Sequence, residues 1–114
     1  MNLEEIIQQL ELNLLTQPKD FASLTPSSGY ASDLLSCVMA GAAENGLWIT
    51  LQAHGNIVAV AALLGLSAVI ITENAMPDET TIAKANEEGI NLLATPRSTY
   101  FIAGRLWELG IPSA

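Results

Sequence analysis

The residues with chemistry to offer cluster in three short segments: Gln52-Ala53-His54-Gly55-Asn56, Glu73-Asn74-Ala75-Met76-Pro77 and Thr95-Pro96-Arg97-Ser98. Thr50, Thr72 and Thr99 flank them. Each segment leads into a stretch that reads as the start of a helix. Free backbone N–H groups and the helix dipole there suit an anion such as a single phosphate group. His54 is the only histidine. A lone histidine can carry a proton in catalysis, but no residue next to it in sequence orients it, and a hydrogen-bonded loop or core histidine is the alternative. Asn56, Asp78 and Ser98 stand where helix caps belong, and capping accounts for them without a ligand. Asp33 follows Gly29-Tyr30 and adjoins an apolar stretch, so it can hold a neighbouring backbone, a ligand or a helix dipole. The candidate ligand-binding set is therefore Asp33, Thr50, His54, Asn56, Thr95, Arg97, Ser98 and Thr99. No catalytic residue, metal ligand or cofactor is assigned.

Several chemistries lack their signatures. A second histidine or a cysteine pair for a metal site is missing, as are the G-x-x-x-x-G-K-[ST] phosphate loop, G-x-G-x-x-G and G-x-S-x-G. Cys37, the only cysteine, lies in the apolar run Leu34 to Met39 and reads as a buried structural thiol rather than a reactive one. It has no internal disulfide partner, which suits a reducing, cytoplasmic setting.

The elements that would carry these segments alternate along the chain. Residues 2 to 10 predict a helix capped by Asn2, with Leu3, Ile6, Ile7 and Leu10 on one face. Residues 13 to 16 predict a short strand and residues 21 to 24 a second. Pro26-Ser27-Ser28-Gly29 reads as a turn. A helix is expected from Ser32, as its cap, to about Ala43. Strands are expected at 47–51, 68–72 and 91–94. Each precedes a helix: 57–64 capped by Asn56 and ended by Gly65, 79–88 capped by Asp78 and ended by Gly89, and 99–109 capped by Ser98 and ended by Gly110. Three strand–helix units with strands apolar on both faces predict a parallel sheet covered by helices. Ligands in such sheets bind beyond the carboxyl ends of the strands, where the three segments fall.

The 114 residues suit one domain, residues 1–114, with a core of its own. Half the residues are apolar and 14% are charged, so either an alanine-rich core or burial against a second copy of the chain is implied; a homodimer is the preferred reading. A net charge of −8, with Lys19, Lys84, Arg97 and Arg105 dispersed, argues against nucleic acid and anionic membrane surfaces as partners. The longest apolar run, Ile57 to Ile71, is interrupted and reads as a helix followed by a strand rather than a membrane span.

Three segments in combination resemble the DRTGG domain family. They are Gly29-Tyr30-Ala31-Ser32-Asp33-Leu34-Leu35-Ser36, then Thr50-Leu51-Gln52-Ala53-His54-Gly55-Asn56-Ile57-Val58-Ala59-Val60-Ala61, then Thr95-Pro96-Arg97-Ser98-Thr99 with Gly104-Arg105-Leu106. The resemblance implies a three-layer α/β/α fold similar to the N-terminal domain of HPr serine kinase/phosphorylase, a domain found beside CBS domain pairs, in some phosphotransacetylases, and alone. The kinase activity of that protein belongs to a separate phosphate-loop domain with no counterpart here. The family's Thr-Gly-Gly aligns with Thr72-Glu73-Asn74, a departure that bears on any site needing close backbone approach.

The expected function is a non-catalytic regulatory or small-ligand-sensing domain, homodimeric, with a small anionic ligand or a partner protein. The alternatives are a protein-interaction module without a small-molecule site and a small enzyme using His54 with Asp33 or a threonine hydroxyl.

Overall fold

A computed structural model describes residues 1–114. Helix α1 (Leu3–Leu10) starts with a reciprocal capping box between Asn2 and Glu5, and Glu11 ends it in a left-handed conformation. Strand β1 (Asn13–Leu14) follows, then a 3-10 turn at Phe21–Ser23 and strand β2 (Gly29–Ala31). From there strands and helices alternate: α2 (Leu35–Gly41), β3 (Leu47–Thr50), α3 (Asn56–Leu64), β4 (Ala68–Ile71), α4 (Glu79–Glu88), β5 (Leu92–Ala94) and α5 (Thr99–Glu108). The sheet order is β1-β5-β4-β3-β2, with β2 to β5 parallel and β1 antiparallel at one edge.

Alternate residues of the strands feed two cores. Leu47, Ile49, Ala68, Ile70 and Leu93 meet Leu3, Ile6 and Leu10 of α1 and Ile102 and Leu106 of α5. Trp48, Val69, Ile71 and Leu92 meet Val38, Ile57, Val58 and Ala85 of α2, α3 and α4. The fold is thus a three-layer α/β/α sandwich, as expected. Both strand faces are buried, which is why β3 and β4 read as continuous apolar runs rather than alternating ones. No helix is long and apolar enough to cross a membrane.

Four local expectations are corrected. Residues 21 to 24 form a 3-10 turn, because buried Phe21 folds back against α1 instead of joining the sheet. Gly29 is not part of a turn but begins β2, which pairs with β3 from Gly29↔Leu47 to Ala31↔Ile49. The helix expected from Ser32 begins at Leu35: Ser32 Oγ accepts the Leu34 N–H at 3.2 Å, and the Trp48 indole N–H donates to the Ser32 carbonyl, so residues 32 and 33 belong to a loop tied to β3. Cys37 is exposed, since Val38 is the residue that α2 turns inward.

Candidate functional site

All four parallel strands deliver their carboxyl ends to one edge, and the loops that follow β2, β3, β4 and β5 lie there. The helices after β2, β3 and β4 pack on one face of the sheet, while α5, after β5, packs on the other. The loops therefore diverge between β4 and β5, which is where an open parallel sheet offers a crevice.

Side chains brace the loops in two pairs. In the first, the Asp33 carboxylate joins the β2–α2 loop to the end of β3. Its Oδ1 accepts both the Thr50 hydroxyl and the Leu51 N–H, each at 2.8 Å. Thr50 Oγ1 in turn accepts the Gln52 N–H at 3.0 Å, and the Gln52 amide donates to the Asp33 carbonyl at 3.2 Å. Thr50 is wholly buried, so its hydroxyl needs these partners. Of the roles open to Asp33, holding a neighbouring backbone is the one the geometry displays.

The second pair joins the β4–α4 and β5–α5 loops across the divergence. Glu73 and Asn74 both adopt left-handed backbone, with φ of 60° and 61°. Their N–H groups donate to the carbonyls of Arg97 (2.8 Å) and Thr95 (3.1 Å). Glu73 Oε2 accepts the Thr99 N–H at 2.7 Å, and the Thr72 and Thr99 hydroxyls share a hydrogen bond of 2.5 Å. Ser98 caps α5 through the Phe101 N–H, and buried Thr95 accepts the Arg97 N–H. The first turn of α5 is accordingly occupied by the chain's own acceptors.

The third segment stands between these pairs. His54 is exposed, and its Nδ1 accepts the Asn56 N–H at 3.3 Å inside its own turn. Asn56 is the first residue of α3 and not its cap: that place is taken by Gly55, and no side chain caps the helix. Asp78 caps α4 through the Thr81 N–H. Its carboxyl is held below the ordinary aspartate range, first by hydrogen bonds from the backbone and side chain of Thr81, then by the nearby His54 imidazole. No side-chain hydrogen bond or ion pair joins the turn of His54 and Asn56 to Asp78, although Gly55 lies against Thr81 at the start of α4.

The eight candidate residues do not form one cluster. Asp33 and Thr50 sit together, His54 and Asn56 sit in the adjacent turn, and Thr95, Ser98 and Thr99 sit at the far pair. Arg97 is drawn elsewhere: its guanidinium stacks 4.3 Å from the Phe101 ring centroid and lines a cleft of about 350 Å³ with Arg105, Gln9 and Glu11. No three of the His, Cys, Asp and Glu side chains come together as a metal-binding group.

Two features escaped the sequence reading. One is Glu73, more than a departure from Gly-Gly: an acid followed by Asn, which tolerates left-handed backbone, is its signal in the sequence. The second is an apolar socket of about 140 Å³ between α5 and β2, lined by Tyr30, Ala103, Leu106, Trp107 and Ile111. Its signal was the aromatic pair Tyr100 and Trp107, seven residues apart and out of phase with core Ile102 and Leu106.

No family profile matches the chain, and no curated protein matches it. Among solved structures it is similar to the CBS and DRTGG domains of the regulatory region of Clostridium perfringens pyrophosphatase, complexed with the activator diadenosine tetraphosphate. The TM-score is 0.75 at 18% identity. The match covers 97% of this chain and 47% of the other, so this chain spans about half the length of that structure. The resemblance to DRTGG domains read from the sequence is met here at the level of the fold.

Proposed function

We propose that this chain is a regulatory domain rather than a catalyst, sensing a small ligand at the carboxyl edge of its sheet and acting as a homodimer. The carrying observation is how the polar side chains at that edge are used. Asp33 and Thr50 lock one pair of loops, Glu73, Thr72 and Thr99 lock another, and no side-chain hydrogen bond joins the turn of His54 and Asn56 to Asp78 between them. A ligand seated there would bridge two internally braced units, which is how binding biases one arrangement over another. That the similar structure carries a domain of this fold beside CBS domains in a regulatory region supports the same reading. A reducing compartment suits the free, exposed Cys37.

Charge limits the ligand. With a net charge of −8 and Arg97 turned towards Phe101, the edge suits one phosphate or a neutral polar molecule better than a polyphosphate. The test is calorimetric titration of the full chain with AMP, inorganic phosphate and diadenosine tetraphosphate, repeated on His54→Ala and Asn56→Ala. Binding of AMP or phosphate that disappears in both variants, with the circular dichroism spectrum unchanged, is expected. Binding that persists in both would remove this site.

A second reading, a protein-interaction module without a small-molecule site, is favoured by the exposed aromatic residues of α5. Failure of all three titrations together with retention of a protein partner would select it.

A further inference from the structure

We infer that α5 is the surface through which two copies of this chain pair, about a two-fold axis crossing the helix between Ala103 and Gly104. This gives the proposed homodimer a location, and so rests on that reading.

Helix α5 buries Ile102 and Leu106 against the sheet and presents Tyr100, Ala103, Gly104 and Trp107 outward. Tyr100 is 91% exposed and Trp107 69%. Large aromatics left this open on a small domain mark an interaction surface. Gly104 supports this. A glycine in a helix interior is less favourable than alanine, and a Cβ at Gly104 would meet nothing within 4 Å. Nothing inside the molecule therefore requires the glycine, whereas a second helix crossing at that point would.

The order of residues names the occupant. The stripe runs aromatic, small, small, aromatic, and reads the same in both directions. An isologous contact requires each patch to complement itself, with residue i on j and j on i. Crossing two α5 helices antiparallel at Ala103 and Gly104 sets Tyr100 of each copy over Trp107 of the other. Trp107 and Ala103 also line the 140 Å³ socket, whose walls include Tyr30, Leu106 and Ile111. Ligand pockets run from about 300 Å³ upward, so this one is of side-chain size, and Tyr100 of the second copy lies opposite it. The four aromatic rings would cover roughly 600 Å², about half of the ~1,200 Å² at which stable interfaces begin. The socket wall supplies area beside them.

Charge points to the same place. Residues 95–114 carry Arg97, Arg105 and Glu108, a net of +1. Residues 1–94 hold two cations against eleven carboxylates, a net of −9. Two copies repel one another least when they meet through α5.

The test is sedimentation equilibrium of the full chain beside Tyr100→Glu and Trp107→Glu. Both substitutions fall on exposed side chains and leave Ile102 and Leu106 in place. A third variant, Gly104→Cys in a Cys37→Ser background, is oxidised and run on a non-reducing gel. The expected results are a dimeric parent, half that mass for both glutamate variants with unchanged far-ultraviolet circular dichroism, and a cross-linked dimer through residue 104. A dimeric parent whose glutamate variants stay dimeric, or whose residue 104 does not cross-link, overturns the surface while leaving the homodimer standing. A monomeric parent overturns both, and the ligand site is still judged by its own titrations.

Discussion

Glu73 Oε2 accepts the backbone N–H of Thr99 at 2.7 Å, so a carboxylate from the loop after β4 sits on the first turn of the helix after β5. This is the position in which a helix N-terminus would otherwise receive an anion. The contact also fixes the two loops at the point where the chain leaves the sheet on opposite faces. It is made from a residue with φ of 60°, a conformation that disfavours a side chain by about 1–2 kcal/mol.

Substitution at Glu73 separates conformation from charge. Glu73→Gly relieves the left-handed backbone, worth about 1 kcal/mol. It also frees the unfolded chain and loses an exposed hydrogen bond, each of about the same size. The expected net change in urea denaturation is a destabilisation of about 1 kcal/mol. Glu73→Val keeps a side chain, adds a β-branch at positive φ and loses the bond, so a destabilisation of about 2 kcal/mol or more is expected. Equal effects from the two variants would show that the backbone conformation is not what limits this position.

Asp33 and Thr50 are expected to behave as one unit. Thr50→Val keeps the volume but leaves the Gln52 N–H without its acceptor, and Asp33→Ala leaves the buried Thr50 hydroxyl without its own. Each should cost about 1–3 kcal/mol. The double variant should cost less than the two together by at least about 0.5 kcal/mol, since both remove the same bond. Strict additivity in a double-mutant cycle would mean that the Asp33–Thr50 bond contributes nothing.

Asp78 gives a pH signature. Its carboxyl is lowered in the folded chain by the Thr81 hydrogen bonds and secondarily by His54. A group whose pKa falls on folding adds stability that is present above its unfolded value and is lost as pH falls through its folded value. The parent should therefore lose more stability than Asp78→Asn as pH is lowered through and below the ordinary aspartate range, and the two should run parallel near neutrality. Parallel pH profiles down to acid unfolding would remove the Thr81 hydrogen bonds as the cause.

Much of this was legible in the chain because the signals are local. Asn2, Asp78, Ser98, Gly65 and Gly89 set helix ends through bonds to residues at most four positions away, and all are found in those roles. The doubly apolar strands expected at 47–51 and 68–72 announced a covered parallel sheet, and they are found at Leu47–Thr50 and Ala68–Ile71. Asn56 failed as a cap because Gly55 took that position and the His54 ring accepted the Asn56 N–H instead.

What local signals could not decide depends on partners far apart in sequence. Gly29-Tyr30-Ala31 became a strand because β3 offered a free edge, and no periodicity in three residues announces that. Asp33 was taken out of the helix it seemed to start because Thr50 and Leu51, 17 and 18 residues away, bind its carboxylate. Glu73 meets Thr99 across 26 residues. Propensity, capping and burial pattern, which act within a few residues, were set by the sequence alone. The strand order, the bracing of the loops and the open aromatic face of α5 follow from which elements the two cores bring together, and only the tertiary structure decides that.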